Sequence, residues 1–401
     1  MTALAALVIA VPGAVLAGFG LYLFTLAAAG VRQRPEANPA PLAPSKRLTI
    51  LVPAHNEESL VGRCVLSLLS QAYPSDLVRT VVVADNCSDA TEFNARAAGA
   101  DVMVRLQPDT RGKGYALRWA MDRVLATADP PDAIVVVDAD SVADERLLSA
   151  LAAELEAGHE VVQADYTLMD ERGAGTSDVA KAGFLLFHRV RFSGRARLGM
   201  AANLVGNGML FARRVLEAHP WDAFIGAEDL EYSIRLRLAG IRPRFAPAAH
   251  VSGPGPASRT GALNQRLRWE GGRFFIFRRQ FLALVEAAIS RRDPRLLDAA
   301  LDLATPPLGL LSLMVAGGGL VSAIAVMTHV APAWAIVPWV VAATAIPGFV
   351  LVGLWSAGAP GSTWGVVLKA PQFLGWKVAA YARLVRGYDV RRWDRTDRVI
   401  P

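Results

Sequence analysis

Ile134-Val135-Val136-Val137-Asp138-Ala139-Asp140 is the stretch whose reading decides the fold. Its run of β-favouring apolar residues reads as a strand buried on both faces. Acids follow at i and i+2, where that strand should end. In an open α/β sheet, ligands bind beyond the carboxyl ends of the strands. Carboxylates there suit a hard divalent cation, which shares itself between protein oxygens and substrate phosphates. Read alone, the same acids equally punctuate a strand-to-helix turn, with Asp140 or Ser141 as N-cap.

Upstream, the pattern alternates. Leu48–Pro53 reads as a strand, and Glu57–Ser70 as a helix, because Leu60, Cys64 and Leu68 recur at helical spacing beside Val61, Val65 and Leu69. Strands over Thr80–Ala84 and Val102–Leu106 follow, with helices over Ala90–Ala98 and Lys113–Ala126 between and after them. This β-α-β-α order predicts an α/β fold with a mostly parallel, doubly wound sheet.

The surrounding composition is apolar for a soluble chain, with 53% hydrophobic and 19% charged residues in 401. The excess is concentrated in two stretches. No Asp, Glu, Lys or Arg occurs from Met1 to Gly30, nor from Leu303 to Leu368. Each exceeds the roughly 20 apolar residues that cross a bilayer. The first lacks a basic n-region and is longer than a signal-peptide core, so it reads as an uncleaved anchor. The second divides at His329-Val330-Ala331-Pro332 into spans over Leu308–Met327 and Trp334–Trp355. Arg32 and Arg34 behind the first span, and Arg383 to Arg398 behind the last, put both flanks in the cytoplasm by the positive-inside rule.

The domain plan is therefore a membrane anchor over 1–30, a proline-rich linker over 31–46 and a cytosolic domain over 47–255. Interfacial helices over 256–302, two membrane helices within 303–357, and an amphipathic helix with a basic tail over 358–401 complete it. The net charge is +6, with arginines clustered near the membrane segments, which suits anionic lipid or a phosphorylated substrate. Nucleic acid is not an expected partner, since no module of that kind is recognisable. Cys64 and Cys87 form no disulfide framework and suit a reducing compartment.

The loops after the strands carry most of the polar side chains that need a reason. They are Pro53-Ala54-His55-Asn56-Glu57-Glu58, Asp85-Asn86-Cys87-Ser88-Asp89 and Arg111-Gly112-Lys113-Gly114, ahead of Asp138 and Asp140. Acids at a first crevice can bond a ribose or base, and a lysine among glycines can reach a phosphate. Each loop taken singly is equally turn chemistry or a helix cap.

Together with Glu228-Asp229 and Gln265-Arg266-Leu267-Arg268-Trp269, these stretches form an ordered set over Leu48 to Arg273. The set resembles the family-2 glycosyltransferases with the A-type nucleotide-sugar-binding fold. Within them it is similar to the membrane-embedded branch of cellulose, chitin and hyaluronan synthases and bacterial exopolysaccharide enzymes.

The resemblance implies roles residue by residue. His55, Glu57 and Asp85 would face the base and ribose, and Lys113 would lie near the nucleotide. Asp138 would serve the nucleotide–metal complex and Asp140 would ligate Mg²⁺ or Mn²⁺. Asp229 would be the catalytic base, ionised with the help of its helix N-terminus, though an N-cap for Leu230–Leu238 is the plainer reading of the same residue. Gln265, Arg268 and Trp269 would close over the diphosphate and acceptor, with Trp269 otherwise a membrane-interface anchor. Asn207, in Gly206-Asn207-Gly208, would belong to an acceptor-side loop, otherwise a tight turn. Gln163 to Tyr166 would line the acceptor groove. His250 reads as a loop or core histidine, and Gly317-Gly318-Gly319 as close helix packing.

The expected activity is inverting, metal-dependent hexosyl or N-acetylhexosaminyl transfer. The donor would be a cytosolic UDP-sugar and the acceptor a glycan or lipid at a bacterial inner membrane. Membrane lipids and polysaccharide export or assembly proteins are the other implied partners. Transfer of one sugar to a lipid carrier is the alternative within the class, and a non-catalytic nucleotide-sugar-binding subunit is the alternative outside it.

Overall fold

The computed structural model describes residues 2–31, 44–169, 178–224, 226–255 and 259–385. The proline-rich linker expected before residue 44 and the arginine-rich end from Arg386 through Trp393 to Arg398 lie outside the described residues.

The chain forms two compact units. One holds residues 44–169, 200–224, 226–255 and 259–296, and is built on a single eight-stranded sheet. Its strands are β1 (Leu48–Ala54), β2 (Val78–Asp85), β3 (Asp101–Arg105), β4 (Ala133–Val136), β5 (Val142–Ala143), β6 (Val161–Leu168), β7 (Met209–Ala212) and β8 (Arg244–Gly253). Their order is β3-β2-β1-β4-β7-β6-β8-β5. The half read from periodicity, β3-β2-β1-β4, is parallel throughout. The other half is mixed: β7 runs antiparallel to β4 and β6, β8 is parallel to β6, and β5 is antiparallel to β8.

Alternation along the strands divides the core in two. Leu48, Ile50 and Val52 of β1 and Ala133 and Val135 of β4 pack on one face, beneath the helices Val61–Leu69 and Leu147–Glu156. Leu51, Ile134 and Val136 pack on the other, against the helices Lys113–Leu125 and Glu228–Leu238. Every residue of β4 is buried, as a strand covered on both faces requires. At about 1.5–3 kcal/mol for each fully buried large apolar side chain, these faces supply most of the drive to fold.

The helix expected from Glu57 begins only at Val61. Residues ahead of it are tied to the loop after β2 instead. Glu57 N–H donates to Thr91 Oγ1 at 2.7 Å, Glu58 N–H to Asp89 Oδ2 at 3.2 Å, and Ser88 N–H to Asn56 Oδ1 at 2.8 Å. Asn56 and Asn86 take left-handed backbone conformations, φ 55° and 50°, which asparagine tolerates better than most residues.

The second unit holds residues 2–31, 178–199 and 297–385. The segment 178–199 falls inside the stretch expected to be catalytic, yet it clusters here. Among the described residues, three helices are long and apolar enough to cross a membrane: Ala3–Gly30, Leu308–Met327 and Ala333–Ser356. They pack closely at small residues, and a Cβ on Gly318 would meet the Trp339 ring at 2.0 Å. Arg191 and Arg195 are buried in ion pairs with Asp298 and Asp302, and Tyr22 OH donates to Asp298 Oδ1 at 2.9 Å. A helix over Val366–Val385 covers the stretch expected to lie along a membrane surface.

Candidate functional site

The candidate site residues belong to the sheet-bearing unit: at the ends of β1, β2 and β4, in the loop before β7, and on the helices Lys113–Leu125, Glu228–Leu238 and Arg259–Ser290. They form three linked groups.

The first lies at β1 and β2. His55 Nδ1 is 2.6 Å from the Asp85 carbonyl. A carbonyl can only accept, so Nδ1 carries the hydrogen of this bond. Asp85 is buried, and its Oδ1 accepts from Arg105 Nη1 at 2.5 Å and from Asn86 Nδ2 at 2.8 Å. Arg105 itself is only 2% exposed and also holds Thr110, donating to its carbonyl at 2.8 Å and its hydroxyl at 2.6 Å. Nothing in the local pattern pointed to Arg105. It ends β3, and only the β2–β3 register, Asp85 opposite Arg105, brings the two together.

The second group centres on Lys113. Gly112 adopts φ +119° to start the helix Lys113–Leu125, and a Cβ on Gly114 would meet the Ala223 carbonyl oxygen at 2.2 Å. Both glycines around the lysine thus have a backbone reason. Lys113 Nζ pairs with Asp138 Oδ1 and donates to the Gly206 carbonyl at 2.5 Å. A Cβ on Gly206 would meet Asp229 Oδ2 at 3.1 Å and Lys113 Nζ at 3.3 Å, so base candidate and lysine converge over that glycine. Burial alone would lower the Lys113 pKa, but Asp138, Glu228 and Asp229 together raise it, and the ammonium stays charged.

Asp229 is the second residue of the helix Glu228–Leu238. The N-cap position is Ala227, so the capping reading does not hold. Asp229 Oδ1 accepts from Leu230 N–H at 2.7 Å. The helix start favours the ionised carboxylate through the Leu230 N–H, but other effects outweigh it. Burial and then the adjacent Glu228 charge push Asp229 up to about 7, against the opposing pull of the Leu230 N–H and Lys113. Burial raises Glu228 as well, moderated by Lys113 and Arg268. That attraction links the same group to Arg268, on the helix Arg259–Ser290. Its Gly272 packs against Ala227, where a Cβ would lie 2.9 Å from the alanine methyl. Trp269 is 40% exposed.

The third group is Asn207. The residue expected on an acceptor loop is fully buried, 0% exposed, and both ends of its amide are engaged. Its Oδ1 accepts from Asp138 N–H at 3.1 Å, and its Nδ2 donates to Ser141 Oγ at 2.8 Å. Ser141 Oγ lies 3.2 Å from Asp140 Oδ1. The side chain is therefore engaged with the turn after β4. Among neighbouring residues, Gln163 is fully buried and Tyr166 half-buried, while His250 Nδ1 lies 3.2 Å from Asp165 Oδ2.

For a cation, the chemistry of the donors fits. Asp138 and Asp140 offer carboxylate oxygens at a strand end, the set a hard divalent ion takes when substrate phosphates complete its shell. Among the described residues no group of three or more His, Cys, Asp or Glu could hold a metal by itself. The site thus suits an ion that arrives with a phosphorylated ligand.

Comparison with known proteins adds to this geometry. A family model described as glycosyltransferase-like family 2 matches residues 44–272. The chain is 28% identical over 251 residues to the probable glycosyltransferase YdaM of Bacillus subtilis, covering 59% of this chain and 58% of that one. It is 28% identical over 247 residues to the beta-monoglucosyldiacylglycerol synthase of Synechocystis sp., covering 58% and 49%. The match spans about half the length of these curated relatives. Among solved structures, the mannosyltransferase PcManGT of Pyrobaculum calidifontis, in complex with GDP-Man and Mn²⁺, aligns with a TM-score of 0.57 at 18% identity. That alignment covers 96% of this chain and 100% of the other, and it bears on the fold alone.

Proposed function

The chain belongs to the glycosyltransferase-like family 2, and from that premise we propose that it is a multi-pass membrane enzyme transferring a sugar from a nucleotide sugar to a glycan or lipid acceptor, with inversion and with a divalent cation. The observation that carries this reading is the convergence of Asp229, Lys113 and Asp138 around the Gly206 backbone. A carboxylate with its pKa pushed up to about 7 is suited to accept a proton at neutral pH.

In this mechanism His55, Glu57 and Asp85 bind the nucleoside, with Arg105 keeping Asp85 in its orientation. Asp140, with Asp138 serving the nucleotide–metal complex, would hold the cation, Mg²⁺ or Mn²⁺, which would offset the charge developing on the leaving diphosphate. Lys113 and Arg268 add positive charge on the same side. Asp229 removes the proton from the acceptor hydroxyl as its oxygen attacks the anomeric carbon. The bond to the diphosphate breaks in the same displacement, releasing the nucleoside diphosphate and leaving the proton on Asp229. No second carboxylate is needed as a nucleophile, so one displacement inverts the centre. Gln265 and Trp269 cover the acceptor, with the aromatic face stacking on a sugar.

A UDP-linked donor and a bacterial inner membrane are the working choices, and the arginines that flank the apolar stretches in the sequence support a cytoplasmic catalytic unit. The name of the Synechocystis relative favours a lipid acceptor, and addition of one sugar to a lipid is the second reading. The test is nucleoside diphosphate release by purified full-length protein with a panel of UDP- and GDP-sugars, Mn²⁺ and bacterial lipid extract. Release with one donor, abolished by EDTA, supports the proposal and names the sugar. Saturable nucleotide binding without release from any donor would refute it in favour of a binding subunit.

A further inference from the structure

Asn207, Ser141 and Gln163 are each fully buried and polar, and they lie directly behind the carboxylate pair of β4. We propose that Asn207 and Ser141 are positioning residues that fix the orientation of the Asp140 carboxylate for the divalent cation, which rests on the metal-dependent reading above.

The direction of each hydrogen bond can be assigned from chemistry. Asp138 N–H can only donate, so the Asn207 atom 3.1 Å from it must be the amide oxygen. The amide nitrogen then faces Ser141 and donates to its Oγ at 2.8 Å. A hydroxyl that receives a hydrogen bond there has one proton left to give, and its neighbour at 3.2 Å is Asp140 Oδ1. The asparagine thereby forces the serine hydroxyl to point its proton at the carboxylate. One side chain ties the backbone of the first acid to the side chain of the second.

The asparagine is itself held. Gln163 Nε2 donates to the Asn207 carbonyl at 2.7 Å and to the Ala164 carbonyl at 2.9 Å, while its Oε1 accepts from Val205 N–H at 3.0 Å. Gly208 N–H donates to the Val136 carbonyl at 2.9 Å, and Ala164 N–H to the Gly208 carbonyl at 2.8 Å. The loop carrying Asn207 is therefore stitched to β4 on one side and β6 on the other. Gly208 has φ +66° and would press a Cβ to 2.7 Å from that of Ala164, so the close approach depends on glycine.

An anchored donor on Oδ1 leaves the carboxylate of Asp140, 8% exposed, turned in one direction. Partners of this kind, one bond removed from a metal ligand, typically change metal affinity by about 10–100-fold when lost. An aspartate at 207 has nearly the same shape but would accept from Ser141, turning that proton away from Asp140. Its effect would thus come from bond direction and the added buried carboxyl and not from volume, whereas Ser141→Ala removes the donor without adding charge.

The experiment measures Mn²⁺ binding by electron paramagnetic resonance to full-length protein with saturating UDP or GDP, whichever the native chain binds. It compares the native protein with Ser141→Ala and Asn207→Asp, and thermal unfolding without metal is recorded for each. The expected result is a Mn²⁺ Kd raised roughly 10–100-fold in both variants, with the Mn²⁺ concentration for half-maximal transfer rising in step and kcat at saturating Mn²⁺ falling less. Unfolding midpoints close to native for Ser141→Ala would separate this from a merely structural role. An unchanged Mn²⁺ Kd in Ser141→Ala and in any folded Asn207→Asp would overturn the inference while leaving the metal-dependent function intact. Failure of the native protein to bind Mn²⁺ with nucleotide would overturn both.

Discussion

The buried pair Arg105–Asp85 offers a prediction whose size follows from the structure. The two side chains are 2% and 7% exposed, and they meet at 2.5 Å. Removing one partner strands the other charge in a poorly hydrated place, at a cost of about 3–5 kcal/mol, whereas removing both charges is often close to neutral. Arg105→Met also takes away the donors that hold Thr110, so it belongs at the upper end. Thermal unfolding of the full chain in detergent, followed by tryptophan fluorescence, would register the loss. At about 2–4 °C per kcal/mol for a unit of this size, a loss of about 5 kcal/mol should lower the midpoint of the sheet-bearing unit by about 10–20 °C for Arg105→Met. Asp85→Asn should fall by a similar amount, because it leaves the guanidinium unpaired. The double variant Asp85→Asn/Arg105→Met should recover most of that, so that single losses of about 3–5 kcal/mol each give a coupling of about 5 kcal/mol or more. Additive losses, or single losses below about 1 kcal/mol as at exposed pairs, would refute the claim that this pair is a buried, interdependent part of the nucleotide face.

Other consequences are as concrete. Asp229 must be ionised to act as base, so kcat/KM should rise with pH up to about 7, following the carboxyl pushed up to about 7, and then level off. Stability runs the other way: a carboxyl whose folded pKa is above its unfolded value favours the fold most at low pH and loses that contribution as pH rises through about 7. Native protein should therefore unfold at a lower temperature at pH 8 than Asp229→Asn does. Gly114→Ala should lose about 1–3 kcal/mol or more by overpacking, since its Cβ would meet the Ala223 carbonyl at 2.2 Å, while Gly62→Ala, with nothing within 4 Å, should not. Trp269→Ala should raise the acceptor KM more than the donor KM, and Trp269→Phe should restore much of it; equal effects on both would argue for an anchoring role alone.

What the sequence made legible is local. Val135 and Val137 against Ile134 and Val136 announce a strand with two covered faces, and the uncharged runs announce the three apolar helices. Asp138, Lys113 and Asp229 were recognisable because each sits in a short pattern. Other features depend on contacts between distant segments. Arg105 reaches Asp85 only through strand register. Asn207 is buried because β7 enters antiparallel beside β4 and carries its preceding loop under the acids. The raised pKa of Asp229 reflects Glu228 and burial more than the helix end that the sequence advertises. The ionic cluster of Arg191, Arg195, Asp298 and Asp302 joins segments about a hundred residues apart, and no periodicity signals such a pairing.

The central claim is that Asp229 is the base in a single displacement. The measurement that meets it most directly is transfer of labelled sugar from the donor identified in the panel, by native protein and by Asp229→Asn, with nucleotide binding measured on the same samples. The account predicts a rate lower by about 10²- to 10⁴-fold in the variant, nucleotide affinity within a few-fold of native, and a product of opposite anomeric configuration to the donor. A variant that still transfers at close to the native rate, or a product that retains the donor's configuration, would contradict it.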